Sequence, residues 1–184
     1  NFNYAIKHAS APFCVIMGCD DKLLPNYVET ALKNINEADF YQPGVQVIDA
    51  KSNTYLPLVD KIKRLLHPKK SCVLAGEKLA TSLCYGNWLY FPSIAWRTST
   101  LKKYSFDPRY KILQDAIIEL TMIIDGASLC FDSTETFQYR RFADSLSSKE
   151  KSKDGIRFNE EKEVYNNFAN KFKSINWNKA SFAA

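Results

Sequence analysis

Histidine is nearly missing from the 184 residues: only His8 and His67 occur, and neither has a partner at metal-ligand spacing. Both read as surface or capping residues, and a histidine-built metal centre is excluded. No apolar run approaches the roughly 18 to 20 residues needed to cross a bilayer, and no signal peptide is visible. The five cysteines, Cys14, Cys19, Cys72, Cys84 and Cys130, show no CxxC spacing and sit mostly in apolar runs. A reduced, cytosolic chain with buried thiols fits this pattern better than a disulfide framework or a zinc site. A block of one charge is also lacking. Of the net +5, residues 149–184 carry eight basic and five acidic side chains, leaving +2 for everything before them. Nucleic acid is therefore not an expected partner. What is present is a 46% hydrophobic and 14% aromatic chain, enough for one domain with a true core.

The periodicity predicts an α/β domain. Phe2, Ala5, Ile6 and Ala9 mark a short helix stopped by Pro12, and Phe13 to Met17 reads as a buried strand ending at Gly18. Leu24, Val28, Ala31, Leu32 and Ile35 recur at helical spacing, which puts Asp20 and Asp21 between a strand and a helix. Val45, Val47 and Ile48 form a second strand. Leu58 to Leu66 is an amphipathic helix with Val59, Ile62, Leu65 and Leu66 on its expected buried side. Ser71 to Cys84 reads as another helix, interrupted by Gly76, and Gly86 to Arg97 as an aromatic loop entering a strand near Ile94. Ile112 to Ile124 is a strong helix stopped by Gly126, with Asp115 in its first turn. Strands are expected over Leu129 to Phe131 and Thr136 to Arg140. A polar, mobile loop and a last helical stretch through Phe158, Val164, Tyr165, Phe168, Phe172 and Ile175 follow.

Two carboxylates at a strand end suit a hard divalent cation, Mn2+ or Mg2+, which prefers oxygen ligands and shares its shell with substrate phosphates. A third carboxylate reaching the same cleft, Asp115, could act as general base on a hydroxyl. The Tyr139-Arg140-Arg141 run could neutralise a diphosphate through forked hydrogen bonds. Metal, base and phosphate clamp together describe group transfer from a nucleoside diphosphate. Each feature also has a plainer reading. Aspartates cap helices, arginines decorate surfaces, and Trp88, Tyr90 and Trp96 can fill a core as well as stack on a sugar.

The ordered set Asn3-Tyr4-Ala5-Ile6, Cys19-Asp20-Asp21, Leu24-Pro25-Asn26, Phe106-Asp107, Leu113-Gln114-Asp115, Asp125-Gly126, Tyr139-Arg140 and Ser145-Leu146-Ser147 resembles glycosyltransferase family 2. The resemblance runs from Asn1 to about Ser148. It implies a GT-A-like mixed sheet flanked by helices, with a core over residues 1–148, a mobile loop over 149–157 and a helical extension over 158–184. It also implies that the chain lacks the N-terminal nucleotide-binding strands. By the same resemblance Asp20 and Asp21 match the metal motif, with Asp21 favoured as the direct ligand, and Gly18 stands where a first carboxylate is usual. Asp115 matches the catalytic base, and Tyr139 with Arg140 the donor-phosphate motif. Phe142 replaces a histidine found in many members. Trp88, Asn87 and Gln114 are expected to meet acceptor or sugar.

The function so implied is metal-dependent, inverting transfer of a sugar from a UDP- or GDP-linked donor to an acceptor hydroxyl. Surface polysaccharide or glycolipid assembly, in the cytoplasm or at the inner face of the membrane, is the expected setting. The alternative is a non-catalytic carbohydrate or protein interaction module on a decayed transferase fold.

Overall fold

The structure, a computed structural model, describes residues 2–35, 38–141 and 156–184. One mixed sheet organises it, in the order β1-β5-β3-β6-β2, with β4 also paired to β6. Its strands are β1 (Phe13–Val15), β2 (Lys22–Leu23), β3 (Phe40–Ile48), β4 (Cys72–Ala75), β5 (Ala95–Arg97) and β6 (Ser128–Arg140). Only β3 and β6 run parallel, in a register that sets Val47 opposite Tyr139 and Ile48 opposite Arg140. β6 is the spine: its first residues pair with β4 and its last with β2, so thirteen residues carry the chain from one end of the sheet to the other.

Period-two alternation divides the core between the two faces. Phe40, Trp96, Leu129 and Phe131 point to one face, where α4 (Gly76–Tyr85), α6 (Gln114–Ile124) and α7 (Ile156–Ser174) pack around Leu79, Leu83, Ile118, Met122, Val164, Phe168 and Phe172. Tyr41, Ala95, Cys130 and Phe137 point to the other, under α2 (Tyr27–Asn34). Helices α1 (Phe2–His8), α3 (Leu58–Leu66), α5 (Thr98–Leu101) and α8 (Asn178–Ala183) complete the framework. Among the described residues no helix is long and apolar enough to cross a membrane.

Several sequence expectations are corrected. β1 is a half-buried edge strand, because the sheet order leaves it paired only to β5. The aspartate pair lies between two strands, since Lys22 and Leu23 join β6 before α2 begins. On α2 the buried face is Tyr27 and Ala31, continued by Ile35, while Val28 and Leu32 are exposed. Residues 72–75 form a strand, and only Gly76, whose positive φ of 58° turns the chain, opens the helix. The two late strands are one. Helix α7 opens at Ile156, and Phe158 is exposed on it. The expected mobile loop, apart from its last two residues, lies outside the described residues, as do Phe142 and Ser145-Leu146-Ser147.

Helix α3 departs furthest. Its bounds are as expected, yet its only fully buried residue is Asp60, and Leu58, Val59, Ile62 and Leu65 are exposed. The reason is a set of polar anchors. Asp60 accepts two hydrogen bonds from Arg141, at 2.6 and 3.0 Å, and one from the Tyr90 hydroxyl at 2.7 Å. Lys63 donates to the Leu89 carbonyl at 2.5 Å, and Arg64 pairs with Glu135. The polar side of the helix is thus its inner side.

Candidate functional site

The acidic loop is built by folding Asp21 back on itself. Its Oδ1 accepts the Arg140 backbone N–H at 2.9 Å, which ties the loop to the end of β6. A Cβ at Gly18 would lie 2.5 Å from Asp21 Oδ2 and 3.2 Å from Asp20 Oδ1. The place where a first carboxylate might be sought is therefore filled by the second and third positions of the loop. Burial raises the Asp21 pKa above the usual carboxylate range, opposed by the Arg140 N–H and assisted by the charge of Asp20. Asp20 is exposed beside it.

Arg140 braces this loop. Its Nε donates to the Asp20 carbonyl at 2.8 Å, Nη1 to the carbonyls of Asp49 and Ala50, and Nη2 to Ser52 Oγ at 3.1 Å. Four of the five guanidinium donors are thereby engaged, and among the described residues one Nη2 hydrogen remains for an outside acceptor. Asp49 is itself the hub of a turn, accepting the N–H groups of Lys51 and Asn53.

Asp115 stands in the first turn of α6, where its Oδ1 accepts the Ala116 N–H at 2.8 Å. The turn before it is held from another element. Glu160 of α7 places one carboxylate oxygen on the N–H groups of Lys111, Ile112 and Leu113, at 2.9 to 3.0 Å. Asp115 faces a cleft of about 440 Å³ whose lining includes Asn87, Tyr139, Lys63, Arg141, Arg157 and Glu161. Burial raises the Asp115 pKa, against the pull of the Ala116 N–H and the Lys63 charge.

One turn further along α6, Glu119 is fully buried. Burial and the Asp115 charge push its pKa up to about 8, while Asn87 donates to its Oε2 at 2.7 Å and Oε1 has no hydrogen-bond partner among the described residues. Lys63 opposite is pushed down to about 8, chiefly by burial. Glu119 and Lys63 were not singled out from sequence, although a lone acid inside the apolar run Ile117 to Ile124, four residues after Asp115, was a visible sign. The raised pKa has a consequence for stability. A group with an ordinary value of 4.5 that titrates near 8 when folded holds its proton longer in the native state. Its contribution is complete below 4.5 and is lost as pH rises toward 8. Glu119→Gln keeps the neutral form at every pH, so its stability relative to wild type should rise between pH 5 and 8 by on the order of 3 kcal/mol. Urea unfolding of both proteins across that range checks it, and a constant difference contradicts it.

Tyr139 connects the two carboxylate centres. Its ring lines the Asp115 cleft, packs on Tyr90 with centroids 5.3 Å apart, and lies under Arg141. Burial raises its pKa, and the charges of Asp21 and Asp20 add to the rise. The structure therefore gathers Asp115, Asn87 and Tyr139 around one cleft, with Asp20, Asp21 and Arg140 at the strand end beside Tyr139. Trp88 and Gln114 are directed elsewhere. The Trp88 indole is 1% exposed, donates to Ser82 Oγ and meets Phe131 edge-on in the core. Gln114 donates to the Asp107 carbonyl at 2.9 Å. A second cleft of about 280 Å³, bounded by Gln42, Arg64, His67, Trp88, Tyr90 and Glu135, holds none of the expected acids, though Trp88 is part of its wall.

Two hard carboxylate oxygens in a loop at a strand end fit a divalent cation that takes its remaining ligands from water and phosphate. They are only two: among the described residues no group of three or more His, Cys, Asp or Glu side chains could hold a metal ion. None of the five cysteines forms a disulfide.

No family model and no curated protein matches the chain. Solved structures do. S. aureus TarS 1-349 in complex with UDP-GlcNAc superposes with a TM-score of 0.65 at 16% identity, over 91% of this chain and 44% of that one. A further structure of TarS 1-349 gives 0.56 at 17%, over 75% and 38%. S. aureus TarS gives 0.56 at 17%, over 77% and 24%. The chain spans less than half the length of each of these structures. At these identities the likeness speaks to architecture, and the architecture is the GT-A-like mixed sheet of the TarS glycosyltransferase.

Proposed function

We propose that the chain forms the catalytic and acceptor side of a nucleotide-sugar transferase that moves a sugar from a UDP-linked donor to an acceptor hydroxyl with inversion. The carrying observation is the convergence on Tyr139: the Asp115 cleft on one side, and the Asp20-Asp21 loop at the same end of β6 on the other. The TarS neighbours, one with UDP-GlcNAc and one with UDP, support a donor of that class. Asp115 is the base, taking the acceptor proton as the oxygen attacks the anomeric carbon and the diphosphate leaves. Asn87 orients the acceptor. Asp20 and Asp21 would hold Mn2+ or Mg2+, which when bound neutralises charge on the leaving diphosphate. The free Nη2 hydrogen of Arg140 serves a phosphate oxygen, and its other donors keep the acidic loop in place.

Calorimetric titration of the protein with its nucleotide-binding strands in place, with UDP and with UDP-GlcNAc, each with and without Mn2+, tests the reading. Wild-type protein should bind only with the metal, and Asp21→Ala should weaken binding by ~10-fold or more, the scale on which a lost ligand-shell group costs affinity. Metal-independent binding unaffected by Asp21→Ala would remove the acidic loop from the donor site. No nucleotide binding by a protein in which the nucleotide-binding strands accompany this chain would favour the non-catalytic module.

A further inference from the structure

Helix α3 leaves Leu58, Val59, Ile62 and Leu65 exposed by 73, 46, 48 and 74% while burying Asp60 completely. A nine-residue helix mounted this way forgoes the apolar burial that normally orients an amphipathic helix, which marks the outer face as a contact surface. Charge identifies what it contacts. From Leu58 to Lys70 the sole acid is Asp60, and it is buried against Arg141. Lys61 and Lys70 are exposed with no ion-pair partner among the described residues. Lys69 folds onto the carbonyls of Arg64 and Leu65 at the end of the helix. Glu135 offsets only Arg64. At 100° per residue Lys61 falls beside the Leu58, Ile62 and Leu65 stripe, so one cation borders the exposed apolar ridge, and the exposed Lys70 follows four residues after the helix ends.

We propose that this face docks on an anionic lipid surface, the leucines and isoleucine entering the acyl boundary and the lysines meeting headgroup phosphates. Val59 and Ile62 also line the Asp115 cleft, so a docked bilayer lies at its mouth. The surface stands independently of whether the cleft catalyses transfer.

Flotation of the protein with vesicles of phosphatidylcholine alone, or of phosphatidylcholine with about one-third phosphatidylglycerol, tests it. Wild-type protein should rise with the anionic vesicles and bind neutral ones ~10-fold less. Leu58→Asp with Leu65→Asp should abolish flotation. Lys61→Glu with Lys70→Glu, which leaves the apolar ridge intact, should weaken it by a similar ~10-fold. Circular dichroism and thermal unfolding report whether each variant is folded. Wild-type protein that stays in solution, or flotation that survives the leucine variant, overturns the proposal. So does a wild-type dimer without vesicle binding that the leucine variant splits, because the face then belongs to a second copy.

Discussion

Asp115→Asn should lower sugar transfer by roughly 10²- to 10⁴-fold, the range that a general base supplies, with nucleotide affinity near wild type. The substitution keeps an oxygen to accept the Ala116 N–H, so the first turn of α6 and the Glu160 clamp on Lys111 to Leu113 should survive it. What it removes is the ability to take a proton. The pH profile of the wild type supplies an independent check. Burial raises the Asp115 pKa, and a base works only when deprotonated. The rate should therefore climb with pH through a midpoint above the ordinary carboxylate range. Glu119 holds its proton to about 8 and is neutral while Asp115 ionises, so Glu119→Gln should leave this midpoint near that of the wild type. Near-normal turnover by Asp115→Asn, or a midpoint at an ordinary carboxylate value in the wild type, would take the base role away from this residue.

Much of this site could be read from the chain, because its acids stand at element ends where local signals are strongest. Asp115 follows Leu113 at a helix start, and Asp20-Asp21 ends an apolar run. Their partners could not be read the same way. Lys63, Arg157 and Glu161 reach the cleft from two helices, with Glu119 buried behind Asp115, and nothing in local periodicity says which helices share a cleft. Arg140 is legible as a cation at a strand end, yet its hydrogen bonds to Asp20, Asp49, Ala50 and Ser52 depend on long-range pairing of β6 with β3 and on the return of the acidic loop. Residues 72–75 show the limit of pattern alone: four apolar residues fit a strand or a helix, and the pairing of Cys72 to Ala75 with Phe131 to Ser128 decides for the strand. Helix α3 shows another. Periodicity gives the angle of an apolar face, but the direction in which it points depends on what receives the opposite side, here Arg141 and Tyr90.

That makes Asp60 the residue on which the placement of α3 rests, and Asp60→Ala should destabilise the protein by about 3 kcal/mol, the low end of the range for breaking a buried ion pair. The low end applies because the two partners are unequally buried. The Asp60 side chain is wholly enclosed, whereas the Arg141 side chain keeps 24% exposure and can recover some hydration through the cleft once its partner is gone. The Tyr90 hydroxyl also loses its acceptor, which adds the cost of an unmade buried hydrogen bond. Asp60→Asn should cost less, since an amide oxygen can still receive Tyr90 while the ion pair is lost. Pairing Asp60→Ala with Arg141→Met removes both charges together, and the double variant should be more stable than Asp60→Ala alone. Hydrogen exchange over residues 58–66 separates a local effect from a global one: fast exchange there with the β3–β6 pair still protected means that α3 detaches as a unit. Because Val59, Ile62, Lys63 and Leu66 form one wall of the Asp115 cleft, that detachment should raise the acceptor KM before it touches kcat. A loss below about 1 kcal/mol, the scale of a surface ion pair, would show instead that the Lys63 to Leu89 and Arg64 to Glu135 contacts hold the helix without the buried pair.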